Sequence, residues 1–465
     1  MIEGEFDVPS AGVLAGEVAA VLAGRRDPGV VVYERLLNAV AGHAYRDREG
    51  LTAALGGVPR EFAARPHEVV GCLAAVVGAA VGPVDAGRYG EGTGAGWLEL
   101  CQHAALDYVA GARVDELAGR LRAGEPVPFL LSVPSRPTGA VEPSDLVARL
   151  AAYGRLGVRP GPADLGLALL RCGGPVDAAA VRAAERLTLD EAPRVTAWLR
   201  RGGLPQPVGR REREAGEPQR PSRRRGARIG RRVLVGHEVF EGRGEFPRRF
   251  WSLFRPFEPH IGCPHGSLPD GRDAHTVATL PWHPEISAAR LLAGVASAAD
   301  QDGRGAPEFL EALAAAEGPA GPAVHLALAY ALAAVPDGER AAAGRALVLL
   351  ASRDRLDARL LGGDLAELVA LGTLKVPLLT ESLRTAAALP CGAAAVWAVL
   401  AAALPGLLAC VRPQAQGALL AVAADSARLA GARGALPEVA ALAGRPGSSR
   451  LVTQARRLNS VLTGA

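Results

Sequence analysis

Three features of the sequence predict an all-α chain. The fold expected is an irregular HEAT-like α-solenoid of helical hairpins, with a short mixed and irregular insert in its middle. First, alanine fills 92 of the 465 positions, yet only Ala215, Ala227, Ala274 and Ala278 fall within 203–283. Alanine loses no side-chain entropy on ordering, so the alanine-rich flanks read as helical and the middle as something else. Second, apolar residues in the flanks recur at helical spacing. Third, proline and glycine breaks place every second helix start about 30–45 residues apart, the period of stacked two-helix repeats. Four regions follow: an N-terminal helical domain (1–202), an Arg/Pro/Gly-rich linker (203–231), an aromatic- and His-rich irregular segment (232–283) and a C-terminal helical-repeat domain (284–465).

In the N-terminal region, helices are expected at about 10–24, 28–44, 66–82, 97–122, 143–157, 162–172, 177–187 and 189–202. Pro126, Pro128, Pro134, Pro137 and Pro143 bracket Phe129-Leu130-Leu131-Ser132-Val133. Proline fixes φ and removes a backbone donor, so this connector reads as extended chain between two helical groups. Residues 203–231 lack an apolar period and read as a flexible linker. Beyond it, Val233-Leu234-Val235 and Val239-Phe240 suit a short strand. Phe240, Phe246, Phe250, Trp251, Phe254 and Phe257 crowd the stretch that follows.

The C-terminal region is the most regular. Ala288, Leu291, Leu292, Val295 and Ala299 follow i, i+3, i+4, i+7, i+11, the stripe of an amphipathic helix. Further starts are expected near Pro307, Gly321, Asp337, Asp357, Pro377, Gly392, Pro413 and Pro437. A last helix has Leu451, Ala455, Leu458 and Leu462 on one face, with Ser448 or Ser449 placed to cap it. A closed helical bundle would use the same helices; the even spacing favours the open stack.

Charge is unevenly distributed. The formal +4 hides twelve arginines and three glutamates between Arg200 and Arg232, so the rest of the chain is mildly acidic. Reading the whole protein as a basic nucleic-acid binder is therefore unwarranted. The six cysteines form no CxxC unit, and the first residues are acidic where a secretory signal is basic, which points to a cytoplasmic protein with reduced thiols. Between Arg384 and Arg412 lie 27 uncharged residues. Although longer than the roughly 20 residues a membrane span needs, this run is broken by Pro390, Gly392, Pro405 and Gly406. Its 392–404 part reads as a helix buried among neighbours.

Candidate chemistry is sparse. His260, Cys263, His265, His275 and His283 supply enough imidazole and thiolate for a zinc ion, but their spacing matches no paired-ligand motif. They are weak metal candidates and no metal is assigned. His67-Glu68 and His237-Glu238 lack the second histidine of a zinc-protease helix, and no Walker loop, dinucleotide fingerprint or nucleophile elbow occurs. No catalytic or cofactor-binding residue is assigned, and no cofactor is expected. The arginines 223–225, 228, 231 and 232 could neutralise phosphates while Phe246, Phe250 or Trp251 stack on bases. The favoured account makes Phe250, Phe254 and Phe257 one buried helix face and the arginines a solvated linker, since a basic stretch without a binding fold supports the core reading.

Three stretches carry a resemblance. Pro128 to Gly139 leads into Leu146-Val147-Ala148-Arg149-Leu150; Gly161-Pro162-Ala163-Asp164-Leu165 leads into Ala168-Leu169-Leu170-Arg171; and Leu280-Pro281-Trp282-His283-Pro284-Glu285 leads into Ala288 to Leu292, with Ala323 to Leu332 and Ser352 to Leu371 beyond. Together they resemble the middle and C-terminal parts of an actinobacterial family of uncharacterised helical-repeat proteins, known as domains of unknown function. The resemblance carries over no catalytic residue. It implies a neighbourhood of SWIM zinc-finger proteins, MoxR-type ATPases and von Willebrand A-like proteins as partners. The expected function is a non-enzymatic cytoplasmic scaffold or adaptor that binds a protein. The alternatives are a nucleic-acid adaptor using 200–260 and a metal-dependent enzyme using 260–283.

Overall fold

The computed structural model describes residues 10–25, 29–56, 69–81, 105–213, 231–236, 241–254, 273–300 and 307–464. The chain divides into two compact units. Met1–Pro207, Gly236–Ile261 and Ala274–His283 form the first; Val208–Val235, Gly262–Asp273 and Pro284–Ala465 form the second. The regular elements of the described residues are helices apart from one pair of short strands.

In the first unit, α1 (Ala11–Leu22), α2 (Gly29–Arg46), α3 (Arg48–Leu55) and α4 (Val69–Val81) pack on one another, and α5 (Ala105–Ala123) packs on α2 and α4. Leu14, Val18, Leu37, Val40, Leu51, Leu73 and Val76 form their shared core. The helix α3 is absent from the sequence expectation. It is set off from α2 by Asp47, whose carboxylate accepts a bond from the Gly50 N–H (2.9 Å) and so restarts the helix. Next come α6 (Pro143–Leu156), α7 (Pro162–Arg171), α8 (Ala178–Ala184) and α9 (Ala192–Arg200), within two or three residues of the expected bounds.

The segment expected to be irregular contributes two 3-10 turns, Glu241–Glu245 and Arg248–Phe254, and α10 (Asp273–Thr279). Phe246, Phe250 and Phe254 are buried there. Phe246 meets the Trp198 ring edge-on at 5.4 Å and lies 6.0 Å from Phe250.

The second unit opens with β1 (Val208–Arg213), which pairs with β2 (Arg231–Gly236). The strand expected at 233–235 is therefore present. Its partner lies inside the stretch read as a linker, whose last residue, Arg231, begins β2; residues 214–230 lie outside the described residues. Then follow α11 (Pro284–Asp300), α12 (Pro307–Ala315), α13 (Pro322–Ala331), α14 (Asp337–Ser352), α15 (Ala358–Ala370), α16 (Val376–Ala387), α17 (Gly392–Cys410), α18 (Pro413–Leu429), α19 (Pro437–Ala443) and α20 (Arg450–Thr463).

Their packing is that of a solenoid. Each helix from α11 to α16 lies against the one two places on, as does α18 against α20, and α13 also carries β1. Small residues let the backbones approach. A Cβ added at Gly362 of α15 would sit 2.8 Å from the Ala402 Cβ of α17.

The helix α17 has the length and composition of a membrane span, with a mean hydropathy of 2.1. It packs on α14, α15, α16 and α18, and Val396, Val399, Leu400, Ala403, Leu404 and Leu407 face inward.

The two units share one capping device. Neither α7 nor α13 has a side-chain cap of its own, and both begin Gly-Pro-Ala. In α7, Glu116 of α5 accepts from the N–H groups of Ala163 (2.8 Å) and Asp164 (3.0 Å). In α13, Glu285 of α11 accepts from Gly321, Ala323 and Val324 at 2.8–2.9 Å. Both glycines are required for the approach: a Cβ at Gly161 would lie 2.1 Å from Glu116 Oε1, and one at Gly321 would lie 2.8 Å from Glu285 Cδ. The carboxylates satisfy donors that a helix start leaves unpaired and complement its positive end.

Buried His325 links α13 to the start of α15. One ring nitrogen, Nδ1, lies 2.8 Å from the Gly321 carbonyl, and the other, Nε2, accepts from the Asp357 N–H (3.0 Å). Accepting that bond leaves Nε2 unprotonated, so the ring is neutral with its proton on Nδ1.

Candidate functional site

The densest polar cluster lies where the proline-bracketed connector crosses the first unit. Extended backbone held between prolines has neither a helix nor a sheet to satisfy its amides, so buried side chains must do so. Asn38 Oδ1 accepts from the Leu130 N–H (2.7 Å), and Asp164 accepts from Leu131 (2.6 Å) and Ser132 (3.3 Å). Arg149 donates to the Leu131 and Val133 carbonyls (2.9 and 2.6 Å), Arg171 to the Ser132 carbonyl (2.7 Å), and the Tyr153 hydroxyl to the Phe129 carbonyl.

Beneath the connector sits a charged centre. Glu34 of α2 receives Arg113 of α5 through both carboxylate oxygens, and Arg171 of α7 through Oε1 (2.9 Å). Arg113 also donates to the Ser132 hydroxyl (3.1 Å), which donates to Asp164 (2.6 Å). Glu34, Arg113 and Arg171 are each no more than 2% exposed. Burial by itself would raise the Glu34 carboxyl; the two guanidiniums outweigh it and hold that carboxyl down at about 2. Burial opposes the charge of Arg113, and Glu34 more than restores it.

This arrangement orders backbone. Ser132 is fully buried and its hydroxyl is engaged on both sides. Two shallow concavities among the described residues have volumes of about 200 and 190 Å³. The first is lined by the glycine pairs 173–174 and 202–203. The second lies among Leu310, Leu313, Val324, Leu328 and Leu350.

The metal candidates are only partly described. His260, Cys263 and His265 lie outside the described residues. His275, on α10, meets the Tyr33 ring edge-on at 5.5 Å, and His283 is buried. Among the described residues no group of three His, Cys, Asp or Glu could hold a metal ion.

Of the two accounts of the aromatic segment, the structure bears out the core one for Phe250 and Phe254. Phe246 and Phe250 are core residues, closed to a base because Trp198 and their own segment cover them. Trp251 is half-buried, with its Nε1–H on the Phe246 carbonyl and the Arg243 guanidinium 5.5 Å from its ring. Phe240 and Phe257 lie outside the described residues. Of the arginines at the head of the basic stretch, Arg200 pairs with Glu185 and Arg201 covers the Trp198 ring.

Sequence reasoning found the connector but not the centre beneath it. The signal was present: Glu34, Arg149 and Arg171 occupy positions that the helical apolar period marks as inward, in VYERLL, VARLAA and ALLRC. A charge on the buried stripe of a helix announces a buried partner.

A family model described as a domain of unknown function (DUF7824) matches residues 101–199, which span α5 to α9 and include the connector with Arg113, Ser132, Asp164 and Arg171. No curated protein and no solved structure matches the chain. The chain thus carries a domain of an uncharacterised family, over two of the three stretches that carry the resemblance; the stretch from Leu280 to Leu371 lies outside the match.

Proposed function

We propose that this protein is a non-enzymatic helical-repeat scaffold that binds a protein partner in the cytoplasm, and that it belongs with actinobacterial helical-repeat proteins. The observation that carries the reading is the packing of helix on second-next helix through α11–α18. Such stacking generates an extended surface, and surfaces of that kind hold macromolecules. The structural use of the polar centre, whose side chains are spent on the connector's backbone, supports a non-catalytic role. The sequence resemblance directs attention to a MoxR-type ATPase or a SWIM zinc-finger protein as partner.

The test is a tagged pull-down from the native host with and without nuclease. A protein recovered in near-equal amount after nuclease treatment supports the scaffold. A catch that vanishes with nuclease replaces it with a nucleic-acid adaptor acting through 200–260. Stoichiometric zinc in the purified protein would instead revive the metal-dependent reading of His260, Cys263, His265, His275 and His283.

A further inference from the structure

Charge is segregated within the second unit. Residues 284–410 hold thirteen acidic and nine basic residues, a formal −4, whereas 411–465 hold seven arginines and two acidic residues, a formal +5. Several arginines of 284–410 have evident structural work. Arg340 donates to the carbonyls of Ala334 and Val335 (2.8 and 2.7 Å), Arg355 to that of Ala314 (2.7 Å), and Arg345 pairs with Glu311. Such bonds satisfy carbonyls at helix ends and between helices. Within 411–465, Arg433 and Arg456 likewise bond carbonyls and Arg457 pairs with Asp425, whereas the exposed guanidiniums of Arg412, Arg428, Arg445 and Arg450 make no such bond.

Position makes three cations conspicuous. The helices α12 and α14 carry acidic first turns, Glu308 in one and Asp337 with Glu339 in the other, as the helix dipole favours. From α16 onward this layer of the stack reverses the rule. Lys375 is the N-cap residue of α16, Arg412 that of α18, and Arg450 is the first residue of α20; none of the three has an acid in its first turn. Arg450 lies against the start of α18, its Cγ 3.6 Å from where a Cβ on Gly417 would be. Three cations at the positive ends of helices cost stability, so folding does not account for them.

We propose that the row Lys375, Arg412 and Arg450 is a docking surface for a carboxylate-rich segment of a partner protein. Charge complementarity selects the occupant. An arginine fork matches a carboxylate through two parallel bonds. Residues 411–465 contain no Phe, Tyr or Trp, so the surface lacks the stacking platforms that single-stranded nucleic acid uses.

This inference rests on the scaffold reading and names its partner chemistry. The test uses the full chain and two labelled probes, a Glu/Ala peptide of about 20 residues and a duplex DNA of about 20 base pairs, in a salt series. The expected result is peptide binding that weakens with salt and falls at least about tenfold in R412E/R450E. R359E, which reverses an exposed charge at the start of α15 in the other layer, should leave it unchanged. Circular dichroism of each variant controls for folding. Absence of peptide binding, equal binding by R412E/R450E, or tighter binding of the DNA overturns the proposal. If R412E/R450E still retains the nuclease-resistant pull-down partner, the docking surface is wrong and the scaffold reading stands. If wild type retains no such partner, the scaffold reading fails first.

Discussion

The two units solve the same problem, burying a helix start, with the same Glu-on-Gly-Pro-Ala cap, yet hold their interiors together differently. In the first unit a stretch of extended chain crosses the core, and its amides draw Asn38, Asp164, Arg149 and Arg171 inward, with Glu34 neutralising the guanidiniums that come with them. In the second unit helix lies on helix, backbone groups are satisfied within each helix, and the interior is largely alanine, leucine and valine. Both interiors hold buried charge, in the second unit Glu285, Arg290, Glu339, Arg340 and Asp364. In the first the charges gather around one irregular connector, whereas Glu285 and Arg340 bond backbone at single helix ends.

The largest expected effect breaks the first unit. Removing Glu34 strands two buried guanidiniums, and breaking a buried pair in this way costs about 3–5 kcal/mol. In E34A, hydrogen exchange should quicken in α2, α5, α7 and the connector, while α15–α17 keep their protection. Uniform loss of protection in both units, or none, would show that the centre is not what holds the connector.

A pH titration sharpens the comparison, because the two units should respond in opposite senses. The Glu34 carboxyl is held below its ordinary value, so its contribution is present above about pH 4.5 and is lost as pH falls toward about 2. The opposite holds for Glu339 in α14. Burial, aided by Glu308, pushes its carboxyl up to about 7, and its Oε2 has no hydrogen-bond partner. Stability from this group is present below about pH 4.5 and lost as pH rises through about 7, by up to about 3 kcal/mol. E339Q should therefore raise the midpoint of denaturant unfolding at pH 8 and change it little at pH 4.5. A gain of the same size at both pH values would assign the effect to packing.

The smallest effect tests what the units share. E116A and E285A each remove a cap made from another helix, and each should cost about 1–2 kcal/mol. Local exchange should rise at the first turns of α7 and α13 respectively. A loss confined to one variant would mean that the common Gly-Pro-Ala start conceals two different devices.

Much of the second unit was legible because its signals are local. Pro307, Asp337, Gly392, Pro413 and Pro437 are the first residues of their helices, as expected, and Ser449 accepts from the Val452 N–H to cap α20. The connector was also legible, since proline dictates its conformation wherever it sits. Less was visible of the middle: β1 lies in a stretch with no apolar period, and strand pairing depends on a partner 18 residues further on. The charged centre was missed for a related reason. Glu34 and Arg171 are 137 residues apart and share no local pattern.

By itself the sequence determined most of the helical segments and where the connector runs extended, though not α3 or β1, because those choices follow from each residue's own backbone preference and immediate neighbours. Tertiary structure alone decided that Glu34 would meet Arg113 and Arg171, that Phe246 would be core, and that basic residues would head three helices of one layer. Those outcomes depend on which helix faces which, and that is settled by the fit of whole surfaces between elements far apart in the chain.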